Sequence, residues 1–252
     1  MPAPKSKPKI LIVGESVFKI HTHYKGFASY ETGYITMSLD PFIDRFVDSG
    51  LEIDFMPNHE VSLKFPFTMD ELSKWDAIVI SDAPADSFLL APDTLAGKIM
   101  PNRIRLLGDW VRKGGGFAMI GGWMSFGGFH GKGHWAFSPM ADLIPATILP
   151  HDDRMEVPEG LVPAAMAKHP VLDGLPETWP DFLGYNRLTD PTGEVLLKFA
   201  NGDPLLVTER IGDGRVAAFT SDILPHWGSP RFLEWPGYVP FWTNLFRWIA
   251  GR

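Results

Sequence analysis

The run Lys9-Ile-Leu-Ile-Val-Gly14 is continuously apolar and closed by glycine, the pattern of a strand buried on both faces of a parallel sheet. Within 37–50, apolar Phe42, Ile43, Phe46 and Val47 recur at helical spacing up to Gly50, and Leu51-Glu-Ile-Asp-Phe55 then alternates as a strand. These segments predict a β-α-β unit. The same grammar follows in 75–82, a strand ending in an acid, and in a helix from Arg103 to Lys113 whose inner stripe is Ile104, Leu107 and Val111. Gly114, Gly115 and Gly116 stop that helix, and 117–122 reads as the next buried strand. Alternation of this kind predicts a parallel sheet with helices on both faces.

From 123 to 200 glycine, proline, histidine and tryptophan crowd a stretch without clean periods, which predicts loops and short elements. Order returns in 204–210 and 215–222, two strands joined by Gly212-Asp-Gly214, an antiparallel hairpin. Trp242, Leu245, Phe246 and Ile249 then share one face of a C-terminal docking helix. With no repeat or linker in sight, 1–252 reads as a single domain with an elaborated middle (123–200) and a flexible, Pro/Lys-rich start (1–8).

Composition changes the picture in two ways. A net charge of −7 supplies no basic field for phosphate backbones or an anionic bilayer, so neither nucleic acid nor membrane is expected as a partner. The absence of an apolar leader or an 18-residue apolar span predicts a cytoplasmic protein. The chain has no cysteine, which removes thiol nucleophiles and thiolate metal sites together.

In open α/β sheets ligands bind beyond the carboxyl ends of the strands. The residues there are Glu15, Asp82, the stretch Gly121-Gly-Trp-Met-Ser125, then Ser221, Asp222 and Pro225-His-Trp227. The segments Gly114-Gly-Gly-Phe-Ala-Met-Ile-Gly-Gly-Trp-Met-Ser-Phe126, Gly184-Tyr-Asn186, Gly202-Asp-Pro-Leu-Leu-Val207, Gly214-Arg-Val216 and Ser221-Asp-Ile-Leu-Pro-His-Trp-Gly228 resemble the putative glutamine amidotransferase family, the class I glutamine amidotransferase-like proteins. The resemblance covers nearly the whole chain and implies a flavodoxin-like three-layer αβα sandwich. Active class I amidotransferases carry a cysteine on a strand-to-helix turn and a later His-Pro-Glu. Here the turn position falls on Gly122 or Trp123, and His226 is followed by Trp227 and Gly228, so thioester chemistry on glutamine is excluded.

Several constellations compete for the remaining chemistry. Ser125 could act as nucleophile with His226 as base and Asp222 or Glu15 as orienter, although Gly122-Trp-Met-Ser-Phe-Gly127 has one residue too many for a nucleophile elbow. His21, His23 and His226, completed by a carboxylate, are candidate ligands of a divalent metal, without diagnostic spacing. Gly127-Gly-Phe-His-Gly-Lys-Gly-His134 fails the phosphate-loop spacing and reads as a mobile glycine-rich loop. Trp123, Trp135, Trp227 and Trp235 could line a ring-binding pocket or pack in the core. The leading expectation is a protein that binds a small polar ligand through Glu15, Asp82, Gly122, Trp123, Ser125, Asp222, His226 and Trp227, with a divalent metal as the one candidate cofactor. Two readings stand beside it: a hydrolase of an amide, ester or sugar derivative, and a homo-oligomeric assembly protein that uses its Trp-rich loops and C-terminal helix.

Overall fold

The computed structural model describes residues 7–37 and 39–252. Most of the start expected to be flexible, residues 1–6, lies outside the described residues. The chain opens with β1 (Lys9–Gly14), followed by a long hairpin of β2 (Ser16–Lys25) and β3 (Ala28–Met37), a helical turn α1 (Asp40–Ile43) and β4 (Glu52–Pro57). Next come α2 (Asn58–Lys64), α3 (Met69–Leu72), β5 (Ala77–Ser81), α4 (Ala85–Leu89), α5 (Pro92–Leu95), α6 (Arg103–Arg112) and β6 (Gly116–Ile120). The middle holds β7 (Thr147–Ile148), β8 (Arg154–Leu161), β9 (Pro163–Ala165), β10 (Phe182–Asn186), β11 (Leu188–Thr189) and β12 (Glu194–Phe199). The chain closes with β13 (Pro204–Ile211), β14 (Gly214–Phe219), α7 (Pro230–Glu234) and α8 (Tyr238–Ile249).

An eight-stranded sheet runs β4-β1-β5-β6-β14-β13-β12-β9. Its pairings from β4 to β14 are parallel, and β13, β12 and β9 continue it antiparallel. Successive residues of a strand point to opposite faces, and β1 divides accordingly. Ile10 and Ile12 pack in one apolar cluster with Phe42, Trp242 and Phe246, while Leu11 and Val13 join Val61, Phe65, Ile104 and Leu107 in another. The predicted stripes of α6 and α8 are both buried. The expected 204–222 hairpin is present as β13 and β14.

Two local expectations differ from the structure. The helix read over 37–50 shrinks to α1 and a 3-10 turn (Asp44–Phe46), because Val47, the last position of its stripe, is exposed and finds nothing to pack on. The β2–β3 hairpin is not among the expected elements, although Phe18, Ile20 and Tyr24 fall in one phase of a two-residue alternation that Thr22 interrupts. Its strands pair only with each other and bury no face, so the alternation marks no core.

Arg103 is the unexpected buried charge. Its guanidinium donates to the carbonyls of Phe88 (2.7 Å), Val61 (3.0 Å), Phe65 (3.2 Å) and Ser87 (3.3 Å), joining the ends of α2 and α4. Burial lowers its pKa to about 10, so the hydrogen bonds hold a cation in the protein interior.

β1 can lie against β5 up to its last residue because Gly14, at φ +125°, has no Cβ, which would fall on the carbonyl oxygen of Ser81. Gly14→Ala is expected to destabilise the fold by ~2–4 kcal/mol, combining backbone strain with that clash, as read by urea denaturation.

Candidate functional site

The carboxyl ends of the parallel strands deliver acids to one place. Glu15 follows β1 and Asp82 follows β5, and both adopt a left-handed backbone with φ 47°. That conformation is uncommon outside glycine, and Asp is one of the residues that tolerates it best. The Glu15 amide donates to the Ser81 carbonyl (3.3 Å), and the Ser81 hydroxyl donates to Glu15 Oε1 (2.5 Å). Asp82 Oδ1 accepts from the Met124 amide at 2.7 Å. Gly122, at φ +149°, has no Cβ, which would sit 2.8 Å from that of Asp82. Asp222, beyond β14, accepts from the Leu224 amide at 3.1 Å.

These three carboxyl groups line a cleft of about 390 Å³ with Trp123, His226 and the arm-root residues Val17 and Lys19. Burial raises Glu15 to about 8, helped by the charge of Asp82 and opposed by the Ser81 hydroxyl. Asp222 is pushed up well above the usual carboxylate range by burial and by the charges of Glu15 and Asp82. Burial also raises Asp82, against the Met124 amide and the His226 charge. His226 is lowered by burial, with Glu156 acting the other way. Burial thus favours the protonated forms of Glu15 and Asp222, groups that can donate as well as accept hydrogen bonds.

Trp123 forms the aromatic rim. Its ring stacks on Phe129 (centroids 5.2 Å, 13° between planes), meets His226 edge-on, and lies 5.1 Å from the Arg154 guanidinium. Arg154 grips Asp152 through two 2.9 Å bonds and holds that carboxyl well below its ordinary range. Glu156 accepts from the Trp227 indole (2.9 Å) and lies 3.7 Å from His226 Nε2. A basic side chain clamped in this way keeps the aromatic plate oriented.

The glycine-rich loop is organised by an anion of the protein itself. Asp153 accepts from the amides of Gly127 and Gly128 and from Asn186 Nδ2, each at 2.8 Å. Asn186 Oδ1 in turn accepts from the Gly122 amide at 2.9 Å. Successive amides facing one oxyanion form the kind of nest that elsewhere cradles phosphate. Here the nest is filled, and the expectation of a mobile loop is corrected: its backbone is pinned, with Gly127, Gly128 and Gly133 buried.

Of the residues singled out from sequence, Glu15, Asp82, Trp123, Asp222 and His226 meet in the cleft. Gly122 stands behind Asp82. Trp227 is buried, with its indole on Glu156. Ser125 is also buried; its hydroxyl donates to the Ile120 carbonyl (2.5 Å) and accepts from the Asp82 amide (3.0 Å), so its bonds go to backbone rather than to His226. His21 and His23 lie on the arm, hydrogen-bonded to Tyr34 and Thr32. Among the described residues no group of three or more His, Asp and Glu side chains is arranged to hold a metal ion. Trp135 is buried against Ala83, and Trp235 packs on Trp179. Asp153, Arg154 and Glu156 went unread; the adjacent acids Asp152 and Asp153 after a glycine-rich stretch were their one sequence signal.

Two outcomes follow. Asp153→Ala strands the two glycine amides and the Asn186 amide, and is expected to cost ~2–4 kcal/mol in urea denaturation. Glu15 binds a proton in the fold up to about 8, whereas in the unfolded chain it releases it near 4.5. The native state thus holds the extra proton in that window, and stability falls as pH rises through it. Glu15→Gln is expected to flatten the decline between pH 5 and 8 by up to a few kcal/mol, at about 1.4 per pKa unit; equal pH slopes for variant and parent would contradict the assignment.

The sequence profile of the putative glutamine amidotransferase family matches residues 9–251. The Salmonella typhimurium cytoplasmic protein STM3548 superposes with a TM-score of 0.90 at 37% identity, covering 95% of this chain and 98% of its own. The cytoplasmic protein STM1381 from Salmonella typhimurium LT2 gives a TM-score of 0.90 at 38% identity, covering 96% and 99%. A putative ThuA-like protein from Bacteroides uniformis shares the fold alone, at 14% identity and a TM-score of 0.59 over 99% of this chain and 95% of that one. No curated protein matches. With a mostly parallel α/β sheet, a profile match over nearly its whole length and two full-length relatives above 30% identity, the chain belongs to the putative glutamine amidotransferase family.

Proposed function

We propose that the protein binds a small, uncharged polar ligand, one rich in hydroxyl or amide groups, in the cleft at the carboxyl end of its sheet, and that it does not hydrolyse glutamine. The observation that carries the reading is the meeting of Glu15, Asp82 and Asp222 beside the open ring of Trp123, which is 41% exposed. Protonated carboxyls offer paired donors and acceptors, and an aromatic face receives the apolar side of a polyol or ring. A carboxylate or phosphate ligand would face three acids across a desolvated space. An ammonium ligand would have to ionise them first, and its binding would tighten as pH rises.

Strand order supports the location. Numbered along the chain, the parallel strands lie 2-1-3-4-5, the order of flavodoxin-like sheets, whose ligands sit where the order reverses. Glu15 and Asp82 flank that reversal, at the ends of the adjacent strands β1 and β5. The hydrolase alternative loses support at its serine, since the Ser125 hydroxyl is engaged by backbone. The absence of cysteine closes the thioester route. Both Salmonella relatives are described as cytoplasmic, which supports the same compartment for this chain.

The test is thermal stabilisation across a panel of sugars, polyols, primary amides, amines and carboxylates at pH 6.5. A neutral compound is expected to raise the melting temperature by mass action. Trp123→Ala and Asp222→Asn should each weaken that effect at least tenfold in ligand concentration. Ammonia release from glutamine, or a panel in which no shift responds to these substitutions, would overturn the reading.

A further inference from the structure

We infer that the β2–β3 arm is a self-association element whose apolar face packs, about a two-fold axis, against the same face of a second copy of this chain. The arm is two ten-residue strands in unbroken antiparallel register from Ser16↔Met37 to Lys25↔Ala28, closed by a turn at Gly26 and Phe27. At about 3.3 Å per residue it extends on the order of 33 Å. A solitary two-stranded ribbon is marginal in water and ordinarily needs a covered face. This one is a separate two-stranded sheet.

Its faces differ sharply. Lys19, His21, His23 and Lys25 share one side with Tyr30 and Tyr34, where His21 stacks on Tyr34 (5.3 Å) and His23 on Tyr30 (4.8 Å). The other side carries Phe18, Ile20, Tyr24, Ile35 and Met37. Phe18 and Ile20 are 62% and 60% exposed, Tyr24 is 79% exposed, and Phe27 at the tip is fully so. Gly33 belongs to this face, and a Cβ there would meet the Phe18 ring at 2.7 Å, so the missing side chain lets that ring lie flat across the strands.

The size and charge of the face select the occupant. At about 200 Å² for a large apolar side chain, the exposed fractions of Phe18, Ile20, Tyr24, Ile35 and Met37 amount to roughly 600 Å², and Phe27 at the tip brings the total to about 800 Å², the share one partner contributes to an interface of standard size. Monomers rarely leave so much contiguous apolar surface bare. A single charged residue, Glu31, lies on this face, hydrogen-bonded by Thr22, while both lysines lie on the other. Two copies can therefore meet without stacking like charges, and sheet faces pack about 10 Å apart. An anionic lipid surface would be served by lysines flanking the apolar residues, which this arrangement does not provide. The stripe of α8, Trp242, Leu245, Phe246 and Ile249, supplies no second face for such a contact, because it is buried in the core.

Sedimentation equilibrium of the full chain tests the assignment. The expected mass is twice that of the 28.1 kDa chain, and the double variant Phe18→Lys, Ile20→Lys is expected to sediment as a monomer with unchanged far-UV circular dichroism. Lys25→Ser, on the opposite face, should leave the dimer intact. A parent that is monomeric at about 100 μM, weaker than an ordinary specific interface, would overturn the inference, as would a dimer that survives the double substitution. A larger oligomer dissolved by it would overturn the two-fold pairing. A monomer that floats with phosphatidylglycerol vesicles would reassign the arm to a lipid surface.

Discussion

The carboxylate of Asp153 is the interaction on which the functional end of the molecule depends. It stands inside the glycine-rich loop after β6 and takes two backbone amides and one side-chain amide, all at 2.8 Å. Burial pushes its pKa up and those donors pull it down, a balance that keeps the carboxyl useful only while every donor stays in place. Through Asn186 the same group reaches the Gly122 amide, and the Asn186 amide itself donates to the Thr220 carbonyl at the end of β14. Three chain segments far apart in sequence are thereby fixed relative to one another. The position of Trp123, between Gly122 and the pinned loop, is a consequence.

Behind that scaffold the strand ends carry an unusual concentration of acid. Burial favours the protonated forms of Glu15 and Asp222 and raises Asp82, while hydrogen bonds from Ser81, Met124 and Leu224 oppose those shifts. A cluster held in this way releases its protons in separate steps, since ionising one member raises the cost for the next. The fold supports the cluster with two residues in left-handed backbone and with glycines where a Cβ would intrude. Strain and desolvation are thus concentrated at one end of the sheet, the end at which sheets of this order bind ligands.

How much of this was legible in sequence follows from where each residue lies. Glu15, Asp82, Trp123 and Asp222 immediately follow apolar runs whose periodicity is plain, so the strand-end rule finds them without knowledge of the fold. His226 came with the same segment as Asp222. Asp153, Arg154 and Glu156 sit in a stretch whose strands are short or irregular, and their role comes from contacts to residues 20 to 70 positions away, which no local pattern encodes. Ser125 looked like chemistry because of its residue type, yet its hydroxyl serves to close the turn after β6. Arg103 starts the expected helix, and its buried side chain clamps the ends of α2 and α4. The arm was legible as alternation, but alternation alone cannot say whether the apolar side meets the core or the solvent.

The joint between arm and sheet is a single residue. Gly14 ends β1, the strand beside the parallel edge strand β4, Ser16 begins β2, and only Glu15 stands between them. The ribbon is rooted in the sheet at an acid whose pKa burial raises to about 8. The arm and the acid cluster therefore share one stretch of backbone, and whatever covers the ribbon sits one residue from the cleft.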